Sequence, residues 1–235
     1  MDFKIKIFAD GANLEDIKQL YKLPYIKGFT TNPTLMRKAG IKSYEQFSKE
    51  LLSMVKDLPV SLEVFADDAE SILYQAQKIA SWGKNVYVKI PVSTTHGEFL
   101  GPVMKTLSGE GIPLNITALM TADQVKATLD CLSKDTPSII SVFAGRIADT
   151  GRDSLEIMIQ CKNLIKESGK KAELLWASPR ELYNVIQADQ MGCDIITVDK
   201  SILDKLPLLG KDLLEYSKET VQMFYKDAMA SAFQI

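Results

Sequence analysis

The sequence predicts an α/β protein, a closed (β/α)8 barrel followed by a long C-terminal helix. Eight short runs of β-branched residues recur at intervals of about 20 to 35 residues, and helix-period stretches separate them. Strands joined by helices run parallel, and eight such units in 235 residues favour a closed barrel over an open doubly wound sheet. No Gly-x-Gly-x-x-Gly motif follows a predicted strand, which argues against a nucleotide-binding sheet.

The eight predicted strands are rich in valine, isoleucine and aromatic residues. They are Ile5–Ala9, Lys27–Thr30, Val60–Phe65, Asn85–Ile90, Pro113–Thr117, Ile139–Ala144, Ala172–Ala177 and Asp194–Val198. Capping boxes, in which paired side chains satisfy free backbone amides, mark several helix starts between them. These are Ser43-x-x-Gln46, Asp67-x-x-Glu70 with an end at Gly83, Thr121-x-x-Gln124, and Asp153-x-x-Glu156 with an end at Gly169.

A long terminal helix is predicted over about residues 212–232. Its apolar side chains are Leu213, Leu214, Val221, Phe224, Tyr225, Ala228 and Met229. Because eight helices already surround such a barrel, we expect this apolar stripe to pack partly on a neighbouring subunit of a homo-oligomer. No linker or low-complexity segment divides the chain, so residues 1–235 are interpreted as a single domain.

The composition argues against several partners. Twenty-eight basic and thirty acidic residues give a net charge of −2, too little positive charge to hold a nucleic acid. The apolar runs fall far short of the roughly 20 residues that span a bilayer, and the first residues lack the features of a secretory signal. We therefore expect a cytoplasmic protein with neither a nucleic-acid nor a membrane partner.

Cysteine and histidine are too scarce for the common metal sites. The three cysteines, Cys131, Cys161 and Cys193, show no Cys-x-x-Cys spacing and fit neither a disulfide framework nor a zinc site. The single histidine, His96, excludes a multi-histidine metal site. We interpret His96 as a solvated loop or helix-start residue, with a proton-donating role as the alternative. No metal is expected.

A lysine inside an apolar strand is the most informative feature. Alternation along the fourth strand puts Lys89 on one side and Val86 and Val88 on the other. If the valines meet the helices, Lys89 points into the barrel near the C-terminal end of its strand, where barrel enzymes have their active sites. Burial would lower its pKa and supply the neutral amine that forms a Schiff base. The alternative is a strand-end lysine that extends to water.

The same alternation puts further side chains from other strands on the inward side. They are Asp10, Glu63, Asn115, Thr117, Ser141 and Phe143. Each has an ordinary explanation, because strand-end carboxylates often cap helices and strand threonines are common. Together, in a site that the lysine also faces, they indicate a binding cavity.

Two arginines suggest an anion site. Ser178-Pro179-Arg180-Glu181 predicts a helix that begins after the seventh strand, with serine as N-cap and proline at the first position. The free amides of such a helix and Arg180 would bind a phosphate, which Arg146 would reach from the preceding loop. For each arginine the alternative is an ion pair with a surface carboxylate.

Five segments lie in order at the ends of predicted strands. They read Thr30-Thr31-Asn32-Pro33-Thr34-Leu35, Val88-Lys89-Ile90-Pro91, Asn115-Ile116-Thr117, Phe143-x-Gly-Arg146 and Ala177-Ser178-x-Arg180. Together they resemble the transaldolase family, in particular its short transaldolase and fructose-6-phosphate aldolase group. The resemblance spans nearly the whole chain.

The resemblance implies a reaction and its participants. A dihydroxyacetone unit passes from a ketose phosphate to an aldose phosphate, as when sedoheptulose 7-phosphate and glyceraldehyde 3-phosphate give erythrose 4-phosphate and fructose 6-phosphate. No metal or organic cofactor takes part. The partners are sugar phosphates, and the short members of the family are commonly rings or paired rings. We therefore expect a homo-oligomer.

The resemblance also implies residue roles. Lys89 would be the Schiff-base nucleophile, Asp10 the acid and base at the reacting hydroxyl, and Glu63 with Thr117 would hold a proton-shuttling water. The implied sugar-binding residues are Asn32, Asn115 and Ser141, and the implied phosphate-binding residues are Arg146, Ser178 and Arg180. Trp176 is predicted on the inward side of the seventh strand, where it either floors the sugar pocket or packs in the core.

Two positions separate the activities of this family. Fructose-6-phosphate aldolases carry glutamine at the position of Glu63 and tyrosine at that of Phe143, whereas transaldolases carry glutamate and phenylalanine. The sequence therefore predicts a transaldolase. The first alternative is an aldolase that releases free dihydroxyacetone, and the second is a non-catalytic barrel that binds sugar phosphates and keeps Lys89 protonated.

Overall fold

The computed structural model describes residues 3–231, in which eight parallel strands close into a barrel in sequence order. This confirms the predicted (β/α)8 fold. The strands are β1 Lys6–Asp10, β2 Ile26–Thr30, β3 Val60–Glu63, β4 Val86–Pro91, β5 Leu114–Leu119, β6 Ser138–Val142, β7 Ala172–Trp176 and β8 Ile195–Asp199. The helices are α1 Leu14–Leu20, α2 Pro33–Lys38, α3 Tyr44–Met54, α4 Ala69–Ala80, α5 Gly101–Gly109, α6 Ala122–Cys131, α7 Ala144–Ala148, α8 Ser154–Ser168, α9 Tyr183–Gln190, α10 Lys200–Leu203 and α11 Leu213–Ala230, with a 3-10 turn at Leu206–Leu208.

Side chains alternate between the barrel interior and the layer beneath the helices. On β4, Val86 and Val88 are buried in the large core that the helices share with the outer faces of the strands. Tyr87 instead packs on a separate interior cluster, formed by Phe8, Ile139, Leu175, Ala177 and Ile195. The parity of β4 therefore places Lys89 inside the barrel, as predicted.

The strand register fixes which side chains meet above this interior cluster. Asp10 is paired with Thr30 across β1 and β2, and Lys89 lies between Glu63 on β3 and Asn115 on β5. Because all eight strands are parallel, their C-terminal ends open at the same end of the barrel. The polar inward residues therefore gather at that end.

Several predicted boundaries need correction. The N-cap of α4 is Asp68, whose side chain accepts from the Ser71 amide, and not Asp67. The helix also ends at Ala80 rather than at Gly83. By contrast, Gly169 closes α8 in the left-handed conformation that a glycine adopts without strain. Thr121 and Gln124 form the complete predicted capping box.

Helix α11 follows the barrel, and Ala232 at its predicted end lies outside the described residues. No residue of Leu213–Ala230 is buried, which contrasts with the buried faces of the barrel helices. Its exposed large apolar side chains are Leu213, Leu214, Tyr216, Val221, Met223, Phe224, Tyr225 and Met229. Among residues 3–231, no helix is long and apolar enough to cross a membrane.

Candidate active site

A cavity of about 550 Å³ lies at the C-terminal end of the barrel. The sequence-predicted site residues all line it, namely Asp10, Asn32, Glu63, Lys89, Asn115, Thr117, Ser141, Phe143, Arg146, Ser178 and Arg180. Residues outside the predicted set also line it, among them Lys38 and Thr197. The volume is that of a typical small-molecule site.

Lys89 lines this cavity and is only 8% exposed. Its Nζ is 3.1 Å from Glu63 Oε2 and donates a hydrogen bond of 3.1 Å to the carbonyl oxygen of Thr31. The lysine therefore does not extend to water, and the alternative of a solvated strand-end amine is excluded. A buried amine at this end of a barrel strand lies where it can reach the carbonyl carbon of a substrate in the cavity.

Asp10 is the last residue of β1 and also lines the cavity. Its Oδ1 accepts a hydrogen bond of 2.8 Å from Thr30 Oγ1, and its Oδ2 is 3.5 Å from Asn32 Nδ2. Desolvation raises the pKa of Asp10 above its ordinary value of 3.8, while Lys89 and the Thr30 hydroxyl act in the opposite direction. A carboxyl group with a raised pKa is well suited to take up and return a proton.

The Asn115 amide is held from both sides. Its Nδ2 donates to Ser61 Oγ at 2.9 Å, and its Oδ1 accepts from Ser141 Oγ at 2.7 Å. All three side chains are buried, so the orientation of the amide is fixed. Ser61 was not among the predicted residues. It lies two residues before Glu63 on β3, so strand alternation would have placed it on the same inward side.

Strand β5 is irregular where it borders the cavity. Its register on β6 shifts between Ile116 and Leu119, and Ala118 has a φ of 64° in the left-handed region. Such bulges often lie beside active sites, where they redirect a side chain. The neighbouring Thr117 Oγ1 is buried and has no hydrogen-bond partner among the described residues. A water or substrate hydroxyl would satisfy it.

The predicted helix start at Ser178 is wrong. Helix α9 begins at Tyr183, and the amides of Arg180 and Glu181 both donate to Asn184 Oδ1, at 2.7 and 3.2 Å. Ser178 has a φ of 57°, so the backbone turns at this residue instead of entering a helix. The turn still presents Ser178 and Arg180 to the cavity.

The start of α7, which follows β6, packs closely against the loop after β7 beside this turn. A Cβ at Gly145 would lie 1.6 Å from the carbonyl oxygen of Ser178, so only glycine permits this approach. Arg180 Nε donates to Asp149 Oδ1 at 3.0 Å, and Nη2 contacts Oδ2. Arg180 thus forms the predicted alternative, a surface ion pair, while it also lines the cavity. Arg146 lies with its Cζ 5.3 Å from the centre of the Phe143 ring.

Comparison with known proteins shows the family of this chain. The model of the family described as Transaldolase/Fructose-6-phosphate aldolase matches residues 7–235. The chain belongs to the transaldolase/fructose-6-phosphate aldolase family. It is similar to a protein named "Probable transaldolase" from Methanococcus maripaludis strain C5, with 38% identity over 202 residues, which are 86% of this chain and 89% of the relative. The protein of the same name from Lactiplantibacillus plantarum is 35% identical over 218 residues, 92% of this chain and 96% of the relative.

In this member of the transaldolase/fructose-6-phosphate aldolase family, neither Trp176 nor His96 is among the residues that line the cavity. Trp176 is not inward. It is paired with Val142 and packs in the outer core, whereas Leu175 and Ala177 face the cavity. His96 is exposed in the loop after β4 and does not line the cavity, in agreement with its interpretation as a loop residue.

Proposed function

We propose that this protein is a transaldolase that transfers a dihydroxyacetone unit between sugar phosphates through a Schiff base on Lys89. The observation that carries the proposal is the buried Lys89 amine, 3.1 Å from Glu63, in a cavity that Asp10 and two arginines also line. The names of two relatives support the same activity, since the Methanococcus and Lactiplantibacillus proteins are both named "Probable transaldolase".

In the proposed reaction the neutral Lys89 amine attacks the C2 ketone of the donor. The carbinolamine then loses water to give a protonated imine, and protons move between the nitrogen, the departing hydroxyl and a water. Glu63 and Thr117 are the groups that would hold this water. Glu63 is close to Nζ, and the buried Thr117 hydroxyl has no hydrogen-bond partner in the part of the chain that the structure describes; both observations support that assignment.

Asp10 then removes the proton from the C4 hydroxyl. The C3–C4 bond breaks, its electron pair forms the C2–C3 double bond of an enamine as the imine electrons return to nitrogen, and the first aldose leaves with a new carbonyl at C4. The enamine carbon adds to the second aldehyde, Asp10 returns the proton to the new hydroxyl, and hydrolysis frees Lys89. The raised pKa of Asp10 supports this shuttle, because a more basic carboxylate takes a hydroxyl proton more readily.

The charge of the cavity supports a phosphorylated substrate. Of the described residues, the basic ones that line it are Lys38, Lys89, Arg146 and Arg180, and the carboxylates are Asp10 and Glu63. A phosphate dianion is the ligand that guanidinium groups bind best, through two parallel hydrogen bonds. We assign this role to Arg146 and Arg180 with Ser178, and the sugar hydroxyls to the remaining polar residues, Asn32, Asn115 and Ser141.

Transfer is favoured over simple cleavage by Glu63 and Phe143. Glutamate can accept a proton from the catalytic water, whereas the glutamine of fructose-6-phosphate aldolases can only hydrogen-bond to it. Phenylalanine offers that water no hydroxyl, whereas tyrosine would help to hold it. The aldolase that releases free dihydroxyacetone is the second candidate function, because the matched family includes both activities.

Product analysis separates these functions. The protein is incubated with fructose 6-phosphate, with and without erythrose 4-phosphate, and the products are identified by mass spectrometry. A transaldolase forms sedoheptulose 7-phosphate and glyceraldehyde 3-phosphate only when the acceptor is present. Release of dihydroxyacetone at a similar rate without acceptor would identify the aldolase, and no turnover in either mixture would indicate a non-catalytic barrel.

We also propose that the protein is a homo-oligomer in which α11 packs on a neighbouring copy. Leu214 is 82% exposed and Tyr225 68% exposed, on a helix with no buried residue. An apolar surface of this extent on a single helix is typical of a protein interface. A second copy is the partner that we assign to it, and the ring assemblies of short family members support that choice.

A further inference from the structure

Two threonines form a hydrogen-bonded pair behind Asp10. Thr30 Oγ1 donates to Asp10 Oδ1 at 2.8 Å, and Thr197 Oγ1 is in hydrogen-bond contact with Thr30 Oγ1. Both threonines are buried, on the strands β2 and β8 that flank β1. None of the roles described above uses either hydroxyl.

The direction of this chain of hydroxyls follows from proton counting. Each threonine hydroxyl has one proton to donate. The proton of Thr30 is directed at the Asp10 carboxylate, so its oxygen accepts the proton of Thr197. The chain therefore runs from Thr197 through Thr30 to Oδ1 of Asp10.

The two oxygens of Asp10 consequently differ. Oδ1 accepts a hydrogen bond of 2.8 Å from Thr30, whereas within residues 3–231 the hydrogen-bond partner of Oδ2 is the Asn32 amide alone, at 3.5 Å. Hydrogen bonds to a charged acceptor are stronger than neutral ones and strengthen one another along a chain. The Thr30 bond thus both orients the carboxylate and favours its ionised form.

We propose that Thr30 and Thr197 are positioning residues, which hold Asp10 ionised and direct Oδ2 to exchange the proton with the substrate hydroxyl. The proposal deepens the proposed transaldolase function and rests on it for the role of Asp10. It assigns two residues that act through Asp10 and not through the Schiff base.

Other charged groups around Asp10 set the sign of the expected effect. Glu63, Lys89 and Asp199 face it from β3, β4 and β8, and Asp16, Lys38 and Lys200 lie across the adjoining cleft. Desolvation, Asp199 and Glu63 raise the pKa of Asp10, while Lys89 and the Thr30 hydroxyl lower it. Loss of the Thr30 hydroxyl therefore raises the pKa of Asp10 further, so that the Asp10 carboxylate is protonated at a higher pH as the pH falls.

The test compares Thr30→Val, Thr30→Ser and Thr197→Val with the native protein. Thr136→Val is the matched control, because Thr136 is also buried and its Oγ1 donates to a carbonyl oxygen, that of Ser108, away from the cavity. The readouts are the pH profile of kcat/KM for fructose 6-phosphate in the transfer reaction with erythrose 4-phosphate and the titration of the Asp10 carboxyl carbon by 13C NMR. The Asp10 signal is assigned by its loss in Asp10→Asn.

Thr30→Val is expected to move the acid limb and the Asp10 titration upward by about one to two pH units, from the loss of one hydrogen bond to a charged group. Thr197→Val shifts both in the same direction by less, because Thr30 keeps its proton. Thr30→Ser retains the native values, and Thr136→Val moves neither. A fall in kcat of the same size at every pH, with no shift, would overturn the proposal.

Failure of this proposal is separable from failure of the proposed function. If the native protein neither cleaves nor transfers but Thr30→Val still shifts the Asp10 titration, the transaldolase function is contradicted, whereas the positioning of Asp10 by the threonines is supported. If the native protein is active and Thr30→Val does not shift the Asp10 titration, the proposed positioning role of the threonines is contradicted. Should Thr30→Val not fold, an unchanged titration in Thr197→Val overturns the proposal in its place.

Discussion

Replacement of Gly145 by alanine tests how the loops after β6 and β7 build the proposed phosphate site. A Cβ at this position would lie 1.6 Å from the Ser178 carbonyl oxygen and 3.3 Å from Arg180 Nε. Since such a contact needs at least 3.0 Å, the two loops must separate by about 1.4 Å. Arg146 lies on α7 next to Gly145, and Arg180 lies on the loop after β7, so the spacing of the two arginines changes with this separation.

This displacement sets the expected loss of rate and of stability in Gly145→Ala. A misplacement of about 1 Å at a substrate-positioning group lowers rates by about 100-fold, and overpacking costs about 1 to 3 kcal/mol of stability. We therefore expect Gly145→Ala to lower kcat/KM for fructose 6-phosphate by about 100-fold. For unphosphorylated fructose the loss should be much smaller, because that substrate makes no phosphate contact.

The assay measures kcat/KM for both donors together with the unfolding temperature. Gly109→Ala is the control, since a Cβ there meets nothing within 4 Å and alanine favours the helix. The control should keep native kinetics and lose no stability. Native kinetics of Gly145→Ala towards fructose 6-phosphate would refute the argument that the close approach of Gly145 to the Ser178 carbonyl positions the phosphate-binding residues.

Three other predictions concern binding, reaction choice and assembly. Arg180→Ala should raise KM for fructose 6-phosphate about tenfold or more, the loss of one charged contact, with little effect on unphosphorylated ketoses; equal losses on both would indicate a structural arginine. Glu63→Gln combined with Phe143→Tyr should shift products towards free dihydroxyacetone while borohydride still traps the imine, and an unchanged product ratio would contradict this assignment. Light scattering should detect an oligomer that Phe224→Lys on α11 weakens, whereas a native monomer at micromolar concentration would contradict the proposed interface.

Much of the site could be predicted because a strand has a strict period of two. Once Val86 and Val88 are assigned to the helix side, Lys89 has to point inward, and the same parity brings in Glu63 and Asn115. Parallel strands then open at one end of the barrel, so distant segments of the chain meet without any need to predict the helices accurately.

The failures come from contacts between segments that are far apart in the sequence. Ser178 has the local pattern of an N-cap, but Gly145 packs against its carbonyl and Asn184 takes the amides that would open a helix. Asp67 could cap α4 as well as Asp68 does, yet it accepts from the Thr95 amide and hydroxyl on another loop. Local patterns contain no information on such partners.

Strand ends produced the remaining error. The predicted seventh strand runs to Ala177, and the sequence does not show whether Trp176 or Ala177 faces the barrel interior. The register with β6 decides it, because Ser141 faces the cavity and is paired with Leu175. Trp176, one residue further, must then lie on the outer side.

Covalent trapping on Lys89 tests the proposed mechanism most directly. The protein is reduced with borohydride in the presence of fructose 6-phosphate and digested, and the modified peptide is identified by mass spectrometry. Only an imine is reduced to a stable adduct, so the mass of the reduced sugar or dihydroxyacetone unit should appear on Lys89. Lys89→Arg, which keeps the charge but has no neutral amine, should give no adduct and no activity. Labelling of a different lysine, or no label with native protein, would contradict the Schiff-base mechanism.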